Sequence, residues 1–245
     1  MKTTQFCLEY KLVDNSKKTV VAIILCAGSS MRMKGINKQF SVIGGIPVIA
    51  RSLLAFEKNK WISGIVVAAK PDDILSIQQI AQEYNVSKLT DIVIGGNSRA
   101  ESVKNAFNVL SEETDFVLIH DGARPLVSQS VIDGVVSNLN TFDAVACAVP
   151  VKDTIKVIDE SKKIFQTLNR NNLCAMQTPQ GFKYDIYMDA LSKFQDISSF
   201  TDDCALVEKA GYDVFVVDGD NRNIKITTRE DLIIADAFLK EKSDE

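Results

Sequence analysis

Arg32 and Lys38 follow a strand-like apolar run, Val20 to Leu25, that breaks at Gly28. A glycine lets the backbone pass close to a ligand, and backbone N–H groups with nearby cations bind phosphate oxygens. This connection therefore has the residue types that hold a polyphosphate and neutralise negative charge developing on it. The same loop could equally be an ordinary structural turn, so its meaning depends on which other residues reach it.

Two common nucleotide motifs are absent from this loop. It lacks the second and third glycines of the dinucleotide fingerprint, and it lacks the Gly-Lys-Ser/Thr end of a P-loop. A nicotinamide-dependent dehydrogenase and a P-loop enzyme are therefore disfavoured.

A second candidate site is the segment IHDGARP, which places His120 and Asp121 at the end of another apolar run. A carboxylate there could hold Mg²⁺, the ion that phosphoryl-transfer sites require. Asp-Gly is also a common turn dipeptide, so both interpretations stay open. His120 is the only histidine of the chain, and we expect it to be a hydrogen-bonded residue at a strand end rather than a catalyst.

Two further cations, Arg170 and Lys225, indicate a functional site only in combination with the others. Residues 151–172 form two short alternating runs about a polar turn, which predicts a β-hairpin arm with Arg170 on its return strand. Lys225 lies in NRNIKIT, which we predict to be an apolar strand with Ile224 and Ile226 on the opposite face. An isolated hairpin is marginally stable in water, so we expect the arm to pack on a second subunit.

The remaining pattern alternates apolar strands with helices. Continuous apolar strands belong in a sheet covered on both faces, and the alternation predicts a mostly parallel α/β sheet. Ligands of such sheets bind beyond the carboxyl ends of the strands, where Gly28, Gly95 and Asp121 fall. The predicted strands are Val20 to Leu25, Ile65 to Ala69, Asp91 to Ile94, Phe116 to Ile119, Ala144 to Val149 and Val214 to Val217, and the predicted helices include Pro47 to Asn59, Asp72 to Tyr84, Ser98 to Leu110 and Ser128 to Leu139.

Composition restricts the partners and the compartment. With 28 basic and 32 acidic residues, the net charge of -4 gives no general attraction for nucleic acid. No apolar run approaches the roughly 20 residues that span a bilayer, and the N-terminal segment lacks the apolar core of a signal peptide. The five cysteines form no CxxC pair. We expect a cytoplasmic protein without nucleic-acid or membrane partners, with a flexible extension over residues 1–18 and one domain over residues 19–242.

In their order along the chain, these segments resemble the 2-C-methyl-D-erythritol 4-phosphate cytidylyltransferases of non-mevalonate isoprenoid synthesis. The resemblance covers roughly residues 20–239, and its specific segments are AG-x3-RM (from Ala27), KQF (from Lys38), GG-x-SR-x-ESV (from Gly95), HDGARP, VPVKDTIK (from Val149), TPQGF (from Thr178), TDDCALVE (from Thr201) and NIKIT (from Asn223). The family implies a single Rossmann-like nucleotidyltransferase domain, with a mostly parallel sheet flanked by helices and a protruding β-hairpin arm over residues 151–172.

The resemblance also implies a reaction, the transfer of CMP from CTP to 2-C-methyl-D-erythritol 4-phosphate with release of pyrophosphate, assisted by Mg²⁺ or another divalent cation. The nucleophile is a phosphate anion that needs no strong base. Because the family's arm crosses to the neighbouring subunit, a homodimer is implied in which Arg170 acts in the partner's site. The implied residues are catalytic Arg32, Lys38, Arg170 and Lys225; CTP-binding Ala27, Gly28, Ser29, Gly95, Ser98, Arg99 and Ser102; substrate-binding Asp121, Arg124, Thr154 and Thr178; and Asp121 as the metal ligand.

The chain departs from the family pattern at Asn37, where a proline usually precedes the lysine, and at Cys26, where alanine is common. Because proline stiffens a loop, we expect Lys38 to be more mobile without it.

Two other functions stay open. The ribitol-5-phosphate cytidylyltransferases share much of the motif set and differ in a few acceptor-pocket residues. A non-catalytic nucleotide-binding module could keep the fold after losing the chemistry, although the presence of all four cations argues against it.

Overall fold

The computed structural model describes residues 18–28 and 37–241. The predicted site residues Ser29 and Arg32, and all of the predicted N-terminal extension except Lys18, lie outside the described residues. None of the helices in this described part is long and apolar enough to cross a membrane. The elements are β1 (Val20–Leu25), β2 (Val42–Ile43), β3 (Ile46–Pro47), α1 (Val48–Glu57), β4 (Gly64–Ala69), α2 (Ile74–Glu83), β5 (Leu89–Ile94), α3 (Arg99–Phe107), β6 (Phe116–Asp121), α4 (Gln129–Asn138), β7 (Ala144–Pro150), β8 (Lys156–Ile158), β9 (Ile164–Thr167), β10 (Cys174–Lys183), α5 (Tyr184–Ser192), α6 (Asp203–Lys209), β11 (Val214–Asp218) and α7 (Arg229–Glu241).

A seven-stranded sheet lies at the centre, in the order β11-β7-β10-β6-β1-β4-β5. Strand β1 pairs in parallel with β4 and β6, β4 with β5, and β7 with β11. Strand β10 alone in this sheet runs antiparallel to its neighbours, β6 and β7. The predicted mostly parallel α/β sheet is confirmed.

The side chains of the central strands β1, β4 and β6 are mostly buried on both faces of the sheet. Ile24 and Leu118 pack in one apolar cluster with residues of α1, α2 and α4, whereas Ile23 and Val117 pack in the other with residues of α3, α5 and α6. Adjacent residues of one strand point to opposite faces, so a continuous apolar run supplies both layers. Full burial of each such side chain contributes about 1.5–3 kcal/mol, which holds the strand ends, and hence the loops beyond them, in place.

Strand β10 is missing from the predicted elements because Pro179 and Gly181 normally weaken a strand. The register of β10 on β7 shifts after Met176, and this irregularity accommodates the proline. A Cβ at Gly181 would lie 2.6 Å from Cγ1 of Val135 in α4 and 2.9 Å from Cδ1 of Leu139, which caps the end of that helix. The glycine therefore lets α4 pack closely on this central strand.

Two local predictions need correction. Strands β8 and β9 form the predicted hairpin, but Arg170 lies after its return strand, in a 3-10 turn over Arg170–Asn172. The Nη1 of Arg170 donates to the carbonyl of Lys152 at 3.2 Å. Lys225 lies in an irregular segment rather than a strand, because Ile226 makes a single 2.8 Å backbone bond to the loop carbonyl of Ala123 and joins no ladder.

Candidate active site

A cleft of about 440 Å³ opens beyond the carboxyl ends of β1, β5 and β6. This is the edge at which parallel sheets bind ligands. Of the predicted site residues, its lining includes Ala27, Gly28, Lys38, Ser98, Arg99, Ser102, Asp121 and Lys225. Residues from five separate parts of the chain therefore meet around one space.

A larger cavity, of about 670 Å³, lies between α2 and β5, and Asp91 is the one charged residue in its lining. An acidic wall repels phosphate groups. The smaller cleft, lined by several cations, is therefore the better site for a polyphosphate.

The loops after β1 and β5 touch at one side of the cleft. A Cβ at Gly95 would lie 2.2 Å from Ala27 Cβ, so only glycine allows this approach. Ser98 caps α3, since its hydroxyl accepts a backbone N–H of the first turn at 3.1 Å. The Ser102 hydroxyl accepts from Gly96 N at 3.0 Å and donates to the Ser98 carbonyl at 2.9 Å. The rim is thus rigid, and it ends in a helix N-terminus, which favours anions.

Three cations converge on Asp121 at the other side. Its carboxylate lies 2.8 Å from Lys225 Nζ, 3.6 Å from Arg99 Nε and 3.7 Å from Arg124 Nε. Burial by itself would raise the pKa of Asp121, but Lys225, Arg99 and Arg124 together hold it well below its ordinary value of 3.8. The cluster carries more positive than negative charge, so it can accept an anion.

A second carboxylate fixes Arg99. Asp203, at the start of α6, forms a short ion pair with the Arg99 guanidinium and accepts a 2.7 Å hydrogen bond from the Tyr187 hydroxyl. Burial would lower the pKa of Arg99, but Asp203 and Asp121 outweigh it and raise that pKa. Sequence reasoning assigned no role to Asp203, although it belongs to the TDDCALVE segment that carried the resemblance.

Thr178 lies beneath Asp121 and is 5% exposed. Its hydroxyl accepts from the Asp121 backbone N–H at 3.0 Å and bonds His120 Nδ1 at 3.0 Å. Its proton and one of its two acceptor positions are used by the protein, and Thr178 is not among the residues lining the cleft, so the geometry favours a role in positioning Asp121 over the predicted direct contact with substrate.

Asn223 anchors the segment that carries Lys225. Its buried side-chain amide donates to the Thr178 carbonyl at 2.9 Å, and its backbone carbonyl accepts from Arg124 Nη1 at 2.7 Å. Arg124 therefore connects this segment to Asp121 from behind the cleft. Asn223 was not predicted as a site residue, and its place in NIKIT was the available signal.

The arm residues Thr154 and Arg170 are exposed and are not among the residues lining this cleft. Within the described parts of one subunit, the structure does not bring these two predicted residues to the others.

The environment of Asp121 does not fit a metal ligand. Three cations surround its carboxylate, and residues 18–28 and 37–241 contain no group of three or more His, Cys, Asp or Glu side chains that could hold an ion. A divalent cation needs several oxygen ligands and is repelled by neighbouring positive charge.

His120 is buried and neutral. Its Nε2 lies 3.2 Å from the Arg124 carbonyl, which can only accept, so Nε2 donates and Nδ1 accepts from the Thr178 hydroxyl. Burial lowers the pKa of His120 from 6.5 to about 4. The expectation that the sole histidine is a hydrogen-bonded residue at a strand end is confirmed.

This pKa predicts a loss of stability in mild acid. Between pH 7 and pH 5 the unfolded chain gains a proton on His120 that the folded chain does not, which lowers the free energy of unfolding by about 2 kcal/mol. Urea unfolding of the native protein and of His120→Gln at both pH values checks this. The variant is expected to lose about 2 kcal/mol less between the two pH values, and an equal loss in both proteins would contradict the assignment.

The comparisons with known proteins all lead to one family. The family model of 2-C-methyl-D-erythritol 4-phosphate cytidylyltransferase matches residues 20–241. The cytidylyltransferase of that name from Clostridium tetani is 45% identical over 221 residues, covering 89% of each chain, and that from Caldanaerobacter subterraneus is 42% identical over 224 residues, covering 90% of this chain and 99% of the relative. The crystal structure of 4-diphosphocytidyl-2C-methyl-D-erythritol synthase from Anaerococcus prevotii aligns with a TM-score of 0.81 at 32% identity, over 91% of this chain and 99% of that one. This chain therefore belongs to the 2-C-methyl-D-erythritol 4-phosphate cytidylyltransferase family.

Proposed function

We propose that the cleft transfers CMP from CTP to 2-C-methyl-D-erythritol 4-phosphate. An oxygen of the acceptor phosphate attacks the α-phosphorus of CTP, and the bond from that phosphorus to the β-phosphate oxygen breaks. Pyrophosphate leaves with the electron pair, and 4-diphosphocytidyl-2-C-methyl-D-erythritol forms. The observation that carries the proposal is the convergence of Lys38, Lys225 and Arg99 on one cleft at the carboxyl edge of the sheet.

The site is suited to charge stabilisation rather than to base catalysis. A phosphate nucleophile is already an anion at neutral pH, so no group must remove a proton from it. His120, the obvious candidate for a base, is neutral, buried and fully hydrogen-bonded. What remains for the protein is to align two polyanions and to neutralise the charge that builds up on the α-phosphate.

Each of the two substrates is proposed to bind at its own side of the cleft. On the nucleotide side we place the loops of Ala27 and Gly95 with the capped start of α3, and we place Lys38 on the triphosphate. The resemblance assigns Ser29 and Arg32, which lie outside the described residues, to the same nucleotide. On the acceptor side we place Lys225, which Asp121 holds at 2.8 Å. The tight approach of Gly95 to Ala27 leaves little room beside the rim, which favours a pyrimidine over a purine.

The arm completes the site in a dimer. Its exposed residues include the large apolar side chains Ile158, Ile164 and Phe165, at 53%, 56% and 65% exposure. Water-exposed apolar area of this size on a two-stranded hairpin favours packing against another surface. We propose that the arm packs on a second copy of the chain and presents Thr154 and Arg170 to that copy's acceptor phosphate.

Divalent-cation dependence is a property expected of a nucleotidyltransferase, and Mg²⁺ remains the predicted ion. Residues 18–28 and 37–241 contain no group of three or more His, Cys, Asp or Glu side chains that could bind it. We therefore propose that the nucleotide phosphates supply its ligands, while Asp121 forms ion pairs with Lys225, Arg99 and Arg124. The predicted cytoplasmic location likewise stays a prediction.

Pyrophosphate release with purified protein and CTP tests the reaction. We expect turnover with 2-C-methyl-D-erythritol 4-phosphate and much slower turnover with ribitol 5-phosphate. Faster turnover with ribitol 5-phosphate would assign the chain to the alternative acceptor, and no release with either would favour a non-catalytic nucleotide-binding module.

Subunit mixing tests the shared site. Arg170→Ala and Arg32→Ala proteins, each weakly active, are expected to recover about a quarter of native activity after exchange, because half of the random dimers hold one intact site of two. The control mixture is Arg32→Ala with Lys38→Ala, whose defects both lie on the nucleotide side, and it should recover nothing. Absence of recovery in the first mixture would place Arg170 outside the partner's site.

A further inference from the structure

The turn that carries Lys38 is anchored at both ends. After Lys38, the Gln39 carbonyl accepts from the Ile49 backbone N–H of α1 at 2.9 Å. Before it, the Asn37 amide donates to both carboxylate oxygens of Asp73, at 3.0 and 3.1 Å. Lys38 therefore lies between two fixed points rather than on a loose loop.

Asn37 also closes the turn from within. Its side-chain oxygen accepts from the Gln39 backbone N–H at 3.1 Å, and its backbone carbonyl accepts from the Phe40 N–H at 3.1 Å. Both ends of one amide side chain are thus used, one to shape the turn and the other to attach it. An amide so placed forms an Asx turn, which restricts the backbone of this turn without a proline ring.

The anchor itself is rigid. Asp73 ends a 3-10 turn, Pro71–Asp73, that follows β4, and its backbone N–H donates to the Lys70 carbonyl at 3.0 Å. The residue is only 9% exposed. A hydrogen bond to a charged and mostly buried acceptor is stronger than one between neutral groups.

We propose that Asn37 is a positioning residue for Lys38, and that its bridge to Asp73 does in this chain what proline does in the usual family pattern. The expectation that Lys38 is more mobile without the proline is thereby replaced. The inference rests on the proposed function, because Lys38 must act on CTP for its position to matter.

Steady-state kinetics of three proteins test this. Asn37→Ala is expected to lower kcat about tenfold and to change KM for CTP less than about threefold, because a misplaced cation loses its effect mainly in the transition state. Asn37→Asp alone should lower kcat further, since it sets two carboxylates against each other. Adding Asp73→Asn to Asn37→Asp exchanges donor and acceptor, and it should restore kcat to within about threefold of native.

Amide hydrogen exchange gives a readout independent of activity. In Asn37→Ala the Gln39 N–H loses its acceptor and is expected to exchange at least about tenfold faster. The double variant should restore protection, because the aspartate introduced at position 37 still accepts from Gln39. Asn140→Ala, which removes one amide bond of 3.0 Å to the Ser137 carbonyl away from the cleft, is the matched control and should leave both kcat and this exchange unchanged.

The outcomes separate the two proposals. A kcat for Asn37→Ala within about twofold of native, or a double variant no better than Asn37→Asp alone, overturns the positioning role while the reaction stands. If the native protein releases no pyrophosphate, the proposed function fails, and the exchange data still report whether Asn37 holds the turn.

Discussion

Alanine in place of Lys38 is expected to lower kcat for CTP-dependent pyrophosphate release by about 10²- to 10³-fold, the range seen when one transition-state donor is removed. The KM for CTP should change by less than roughly tenfold, because the triphosphate keeps its other contacts. Steady-state assays at saturating acceptor give both constants. Negative charge on the α-phosphate is greatest in the transition state, when five oxygens surround the phosphorus. A cation placed there therefore stabilises the transition state more than it stabilises bound CTP.

A second active-site variant and a control variant accompany this measurement. Arg32→Ala should act in the same direction, since the resemblance pairs Arg32 with Lys38 on the triphosphate. Lys60→Ala removes a cation that lies 4.8 Å over the Trp61 ring and does not line the cleft, and it should leave kcat unchanged. A Lys38→Ala protein with native kcat would remove Lys38 from the chemistry.

Asp121→Asn is expected to have the largest effect on stability. The substitution keeps the size of the side chain but leaves Lys225, Arg99 and Arg124 without their shared counter-charge. Removal of one partner from a buried ion pair costs about 3–5 kcal/mol, so we expect the free energy of unfolding to fall by about 3 kcal/mol. Denaturant unfolding at pH 7 measures it, and kcat should fall as well because Lys225 loses the group that orients it.

The matched control is Asp143→Asn. Asp143 pairs with Lys183 at 2.7 Å, but both side chains are at least one-third exposed. Surface pairs contribute about 0–1 kcal/mol, so this variant should unfold at nearly the native denaturant concentration. If Asp121→Asn were equally mild, the cation cluster would not depend on that carboxylate.

Added CTP should distinguish the roles proposed for Asp121. With its negative charge removed, the cleft becomes more positive, and CTP is expected to stabilise Asp121→Asn at least as much as the native protein. If Asp121 were instead a metal ligand, Asp121→Asn would need a higher Mg²⁺ concentration than the native protein for half-maximal activity. Such an increase would contradict the proposal that the Asp121 carboxylate serves to pair with the neighbouring cations.

Local pattern was enough to predict most of the sheet, because buried parallel strands are apolar along their whole length. It was not enough for β10, where Pro179 and Gly181 argue against a strand and only the packing of α4 and the shifted register explain them. It also misplaced Lys225, since Ile224 and Ile226 alternate like a strand although no strand within residues 18–28 and 37–241 pairs with them.

Short segments of the chain were enough to predict the α/β class, the edge at which a ligand is expected and the cations suited to a polyphosphate, because apolar periodicity and charge are properties of short segments. Tertiary structure decided which groups share one carboxylate, that Asp203 holds Arg99, that Thr178 lies beneath Asp121, and that Asn37 reaches Asp73. The last three of these contacts join residues 36 to 104 positions apart, from Asn37 with Asp73 to Arg99 with Asp203. Their geometry follows from the packing of the whole sheet, which no local pattern contains.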